Sequence, residues 1–331
     1  MASICRGCLF FFLFLPKLRH TLRALIRTLI RTPSSGALAL AALPRCLDIA
    51  RSLNHRRIPN VHIFWGHYPA LVGLIIKDLA PSTNVTLFLG AYDLERALPI
   101  SAALSRKAEY ITTHAQCNTR KISCLTGVPA NQITTIYRGV KVRRGHITRD
   151  AKSANLVICA ERLTKTKRTI DVLRAFTILQ KHKPDAYLRI FGDGPEKALL
   201  QDYINTNELS KNVELVGWAS HETILSNLEE ASLLLSLSQA TGERLPNIVK
   251  EAFASSCPAI VGKTPCIDEL VVNGRNGYVL RPGDVHGAAE RALTILSDPQ
   301  LWDQMSACAH ATVSRHFDIK ETSRQRLRLW Q

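Results

Sequence analysis

The amino-acid sequence predicts an α/β protein built of two Rossmann-like domains that face each other across a cleft. Three observations carry that expectation. The chain has 331 residues, about twice the size of a usual domain, with apolar material enough for two cores. From residue 61 onward, short β-rich runs alternate with helical patterns, as parallel α/β layers require. Around residues 140–155 the sequence turns polar and basic (KVRRGHITRDAKSAN), which reads as a linker between two such series.

The first sixty residues precede both series. Residues 1–60 hold ten Lys and Arg against one acid, Asp48, so they carry much of the net charge of +16. Basic chains often meet nucleic acid, but here aromatic and basic residues do not interleave for base stacking, and no zinc-finger or RNP-like pattern occurs. Nucleic acid is therefore not an expected partner. Nine cysteines scattered without a convincing secretory signal point to a reducing compartment, and the isolated Cys5-x-x-Cys8 lacks the second pair a zinc site needs. The apolar run Cys8 to Leu15 (CLFFFLFL) is much shorter than a membrane-spanning helix and lacks a cleavage site after it.

After Pro16, the segment KLRHTLRALIRTLIR (17–31) spaces Leu18, Leu22, Leu25, Ile26, Leu29 and Ile30 at three and four, predicting an amphipathic helix with these residues on one face. Lys17, Arg19, Arg23, Arg27 and Arg31 fill the remainder. Two readings stand side by side: a helix that covers a sheet, or an interfacial helix drawn to an anionic membrane surface. The expected location is cytoplasmic, peripheral on the inner membrane face under the second reading.

The first α/β series has strand runs at 61–66, 85–90, 108–114 and 133–139. Each ends in Gly, His or a polar turn, and ligands bind at the carboxyl ends of parallel strands. The second series runs through 156–160, 186–192, 213–217, 231–238, 257–262 and 277–280. In SLSQATGERLPNIVKEAFASSCPAIVG (236–262) a strand is followed by a loop with Glu243, then by a helix with Pro246 in its first turn and Glu251 further along. The amides at that helix start suit a diphosphate, and carboxylates suit vicinal sugar hydroxyls.

This stretch resembles the E-x7-E motif of the family 4 glycosyltransferases (glycosyl transferases group 1), which have the two-domain GT-B fold and retain the anomeric configuration of the sugar. The resemblance implies that Glu243 contacts the transferred sugar and Glu251 the nucleotide ribose, with Arg244, Leu245, Pro246 and Asn247 completing the donor-binding loop. ERLTKTKR (161–168) is similar to the family's G-R-L-x-x-x-K element, making Arg162 and Lys167 the cations on the diphosphate. FGDGPEKALL (191–200) resembles the G-x-G-P turn, where Gly192 and Gly194 let backbone approach ligand. Trp218 in VGW lies beside the base by the same likeness, with core packing as the equal alternative. NGRNGYVLRPGD (273–284) matches the family's closing turn.

The resemblance thus divides the chain into an acceptor-side domain, 1–150, and a nucleotide-sugar-binding domain, 151–315, with a C-terminal helix in 316–331 returning to the first. It implies a nucleoside diphosphate sugar as donor, a glycan or lipid-linked hydroxyl acceptor, a role in polysaccharide or lipid-linked glycan synthesis, no tightly bound cofactor and no metal. Three departures mark the chain. The glycine-rich loop that usually opens the first domain has no match before residue 61, so that domain reads as shortened. Gly90 in LFLGAYDLE (87–95) stands where the family has His, with Asp93 kept and His67 and His114 as further acceptor-side candidates. Arg244 stands where Gly is common. These leave open a non-catalytic or partner-dependent subunit of the same fold, or a nucleotide-sugar epimerase.

Overall fold

The computed structural model describes residues 15–331, so Cys5, Cys8 and all but the last residue of the apolar run lie outside the described residues. The chain forms two compact units, one running to Tyr137 and including Gln325–Gln331, the other Arg138–Arg324. No described helix is long and apolar enough to cross a membrane.

The first unit begins with α1 (Arg19–Arg31) and α2 (Pro33–His55), and continues with β1 (Asn60–Phe64), α3 (Pro69–Leu79), β2 (Asn84–Phe88), α4 (Ala91–Arg96), α5 (Pro99–Ser105), β3 (Tyr110–Thr113), α6 (Asn118–Thr126) and β4 (Ile133–Thr135). Its four strands are all parallel in the order β1-β2-β3-β4. The described residues before β1 are mainly helical, and no strand among them stands where the glycine-rich loop would begin. Helix α1 packs on α2, α3 and α5. The C-terminal Trp330 lies against His62 of β1 and donates its indole N–H to Thr86 at 3.3 Å.

Helix α1 forms where expected but turns a different face inward. Leu18, Thr21, Ala24, Leu25 and Thr28 are buried, while Ile26, Leu29 and Ile30 are exposed, Ile30 at 74%. The reason is hydrogen bonding that spacing alone does not reveal. Thr21 donates its hydroxyl to Asp78 at the end of α3 (2.9 Å), and Thr28 donates to the Ala24 carbonyl (2.7 Å). With both hydroxyls satisfied, the two threonines are buried at little cost. Asp78 also accepts from the Thr21 amide and contacts His20 Nδ1 at 2.6 Å, anchoring the first turn of α1.

The second unit comprises β5 (Ser153–Ala160), α7 (Thr169–His182), β6 (Tyr187–Phe191), α8 (Lys197–Thr206), β7 (Val213–Gly217), α9 (His221–Glu230), β8 (Ala231–Ser236), α10 (Asn247–Ala254), β9 (Ala259–Gly262), β10 (Gly277–Leu280), α11 (Val285–Ser297), α12 (Pro299–His316) and α13 (Ile319–Arg328), the last continuing past Arg324. The end of the polar stretch read as linker is already strand, since β5 starts at Ser153. Its six strands are parallel in the order β10-β9-β8-β5-β6-β7. Strand β8 is buried at every position, which explains its unbroken apolar run. Asp284 and Asp298 cap α11 and α12 by accepting from Gly287 N (2.9 Å) and Leu301 N (3.0 Å). Trp302 is fully buried and donates its indole N–H to the Ser232 carbonyl at 2.7 Å.

Candidate functional site

In the second unit the chain leaves β5 toward β6 on one side and returns through β8 on the other, so the order of connection reverses between β5 and β8. Ligands of open α/β sheets bind beside such a reversal, outside the carboxyl ends of the strands. Three loops lie there: 161–168 after β5, 192–196 after β6 and 237–246 after β8. They are joined by backbone. Leu163 N donates to Asp193 O (3.0 Å), Glu196 N to Leu163 O (3.1 Å), and Gln239 N to Thr166 O (2.9 Å).

Gly192 and Gly194 make the first of these junctions possible. Their φ values are +133° and +156°, and a Cβ would stand 1.9 Å from the Glu161 carbonyl oxygen at Gly192 and 2.4 Å from the Leu163 carbonyl oxygen at Gly194. The backbone they allow to come close is thus the chain's own β5 loop.

Lys167 and Glu243 are brought together from the β5 and β8 loops, with Nζ 2.6 Å from Oε1. Ser238 donates its hydroxyl to the other oxygen of Glu243 at 2.9 Å. Both side chains keep about a fifth of their surface open, 20% and 22%, so the pair is held and still reachable. Arg162 is exposed and makes no side-chain hydrogen bond or ion pair among the described residues.

Behind this pair lies Glu161, a group not singled out from the sequence. One of its carboxylate oxygens accepts from Thr169 at 3.1 Å and the other from Ser236 at 3.1 Å, with the Cys159 thiol at 3.6 Å. Burial pushes Glu161 up to about 7; Lys167 and the two hydroxyl hydrogen bonds oppose that, and Glu243 adds to it. A carboxylate directly after an all-apolar strand end was the signal available, but its weight depends on partners 8 and 75 residues away.

The linkage has a definite sign. Between about 4.5 and 7 the unfolded chain has lost the Glu161 proton and the folded chain keeps it, so stability falls as pH rises through this window. The contribution is about 3 kcal/mol. Lys250, buried in α10 with Nζ donating to the Arg138 carbonyl at 2.8 Å, is lowered by burial to about 7. It acts only above that pH, where it makes stability rise. Urea unfolding of Glu161→Gln is expected to show a flatter stability profile below pH 7 than the native chain; an unchanged slope would contradict it.

Helix α10 begins at Asn247, with Pro246 at the N-cap rather than in the first turn, and no side chain caps it. Its first amides therefore point outward without a side-chain acceptor. Glu251, one turn on, is only 13% exposed and meets His221 Nε2 at 3.0 Å. Arg244 is buried and donates to the carbonyls of Thr241 and Glu243, and Leu245 is buried beside it. Trp218 follows β7 and is 79% exposed, which removes the core-packing alternative.

In the first unit, His67 and Asp93 meet at the carboxyl ends of β1 and β2, with His67 Nδ1 3.2 Å from Asp93 Oδ1. Asp93 is buried and also accepts the amides of Gly66 and Gly90, both at 2.8 Å. The space above Gly90 is filled by the Trp65 ring, which a Cβ would meet at 2.4 Å. That ring leaves no room for the histidine usual in the family. His114 lies after β3 with its ring 5.6 Å from that of Phe88.

Residues 147–311 match the family described as Glycosyl transferases group 1. An exopolysaccharide phosphotransferase of Streptomyces coelicolor is 30% identical over 177 residues, 53% of this chain and 18% of that protein. The N-acetyl-alpha-D-glucosaminyl L-malate synthase of Bacillus anthracis is 27% identical over 199 residues, 57% of this chain and 51% of that one. The chain thus spans about half or less of the length of these curated relatives. Among solved structures, Anabaena HepE in complex with UDP superposes with a TM-score of 0.72 at 19% identity, covering 90% of this chain and 83% of that one. The fold is that of the GT-B glycosyltransferases.

Proposed function

We propose that this chain, whose residues 147–311 belong to the glycosyl transferases group 1 family, moves a sugar from a nucleoside diphosphate sugar to a hydroxyl acceptor with retention of anomeric configuration, as its family 4 motif implies. The observation that carries the proposal is the Lys167–Glu243 pair at the reversal point of the second sheet, on a loop that runs into the uncapped start of α10. A diphosphate there meets Lys167, the free guanidinium of Arg162 and the helix amides, which together stabilise charge on the departing nucleotide. Glu243, oriented by Ser238, orients the donor sugar, and Glu251 holds the ribose. Trp218 offers an open aromatic face for the base. UDP, which HepE binds, is the first donor nucleotide to test.

On the acceptor side, we assign His67 the role that the family's histidine has, from a different position beside Asp93. Asp93 fixes the ring through Nδ1 and leaves Nε2 to the acceptor. The product class is a polysaccharide or lipid-linked glycan.

A transfer and hydrolysis assay over a panel of nucleotide sugars, with the product anomer read by NMR, tests this. The expected result is an α-linked product from an α-linked donor, loss of both activities in Glu243→Ala and Arg162→Ala, and loss of transfer alone in His67→Ala. Inversion, or full turnover in the first two variants, would overturn the assignment. Conversion of the donor to its epimer without acceptor would replace it with the isomerase reading.

A further inference from the structure

A cavity in the first unit lies apart from the groups placed in the proposed site. This open groove of about 690 Å³ between α1 and α5 is lined by Arg23, Arg27, Arg31, Arg106 and Lys107, with His20 at its edge and Ala102 and Ala103 among its apolar residues. No carboxylate lines it. Arg23, Arg27, Arg31 and Lys107 make no ion pair among the described residues, and Arg106 donates one hydrogen bond, to the Thr126 carbonyl at 2.8 Å. The nearby carboxylate of Asp78 is taken up by His20 and Thr21.

Three arginines at successive four-residue steps repel one another along a helix, and here nothing in the described chain compensates. They span about 12 Å at the helical rise, and guanidinium forks match phosphate oxygens. Next to this stripe on α1, Ile26 and Ile30 are exposed at 57% and 74%. A row of cations beside bare branched apolar side chains is the surface of an interfacial helix.

The place of the groove separates it from the acceptor side. All strands of this sheet are parallel, so segments that lead into strands lie at its amino edge and segments that follow strands at its carboxyl edge. Arg106 and Lys107 lead into β3; His67, Asp93 and His114 follow β1, β2 and β3.

We propose that this groove is a docking site for an anionic phospholipid surface, with lipid phosphates among Arg23, Arg27, Arg31, Arg106 and Lys107 and with Ile26 and Ile30 turned toward the acyl chains. Charge complementarity and the bare isoleucines select a lipid surface over a soluble anion, which needs no apolar flank.

The test is cosedimentation of the full chain with phosphatidylcholine vesicles, with and without phosphatidylglycerol. Binding is expected only with phosphatidylglycerol, weakened about 30-fold by the double variant Arg23→Ala/Arg27→Ala, since each cation near the surface contributes about 1 kcal/mol. Ile26→Ser/Ile30→Ser weakens it as well. Lys181→Ala/Lys211→Ala removes the same charge from exposed positions of the second unit and leaves binding unchanged. These surface variants keep the native unfolding temperature. Equal binding to neutral vesicles, native binding by the arginine variant, or an equal loss in the lysine control would overturn the proposal. Displacement by inorganic phosphate at constant ionic strength would overturn it too, and would mark a soluble-phosphate site.

Discussion

Lys167→Ala is expected to lower turnover of a nucleoside diphosphate sugar by about 10²–10³-fold, the loss typical when one preorganised donor to developing negative charge is removed. The fold should hardly notice. The Lys167–Glu243 pair is partly open on both sides, so its contribution to stability is about 1 kcal/mol or less. The catalytic cost has two parts. The leaving diphosphate loses a cation, and Glu243 is left charged beside it with only the Ser238 hydroxyl to hold it. Glu243→Ala added to Lys167→Ala should therefore cost less than the product of the two single losses, because the second change removes the repulsion the first creates. Independent, multiplicative effects, with the unfolding temperature unchanged, would mean that the two side chains do not act on one ligand.

The largest structural effect is expected at Gly192. Alanine there needs a non-glycine residue at φ +133° and a Cβ 1.9 Å from the Glu161 carbonyl oxygen. Neither neighbour is a flexible side-chain end, so backbone must move. Two bonds are at stake, Glu161 N to Phe191 O at 3.0 Å and Gly192 N to Gly217 O at 2.7 Å, and they tie β5, β6 and β7 together at the site. A cost of about 3–5 kcal/mol follows from strain combined with overpacking. For a unit of this size, that lowers the unfolding temperature by about 10 °C. Gly274→Ala is the comparison, since its φ is also positive, +73°, but nothing lies within 4 Å of an added Cβ. If both variants lose the same small amount, the clasp between the β5 and β6 loops does not hold the site.

What could be read from sequence differs sharply between local and distant determinants. The run of ten strands is legible because alternation, apolar runs and turn residues are local signals, and each predicted run overlaps an observed strand. Glu243 and Glu251 were visible because one loop and one helix carry them. Lys167 was visible from its segment, but its contact with Glu243 links residues 76 apart and depends on the strand order. Glu161 is not legible in the sequence for the same reason: its partners come from α7 and β8. The face that α1 buries is not legible in its spacing because Asp78, in α3, satisfies Thr21 and makes a threonine a core residue. Gly90 read as a missing histidine; only the structure shows the Trp65 ring in that space.

The central claim is that the three loops at the end of the second sheet bind a nucleoside diphosphate. Calorimetric titration of the full chain with UDP, GDP and ADP tests it without needing the sugar or the acceptor. Binding of at least one of them is expected, weakened about tenfold or more by Lys167→Ala and by Arg162→Ala, in keeping with one charge-assisted contact each. Absence of binding by all three nucleotides, or undiminished binding in both variants, would contradict it.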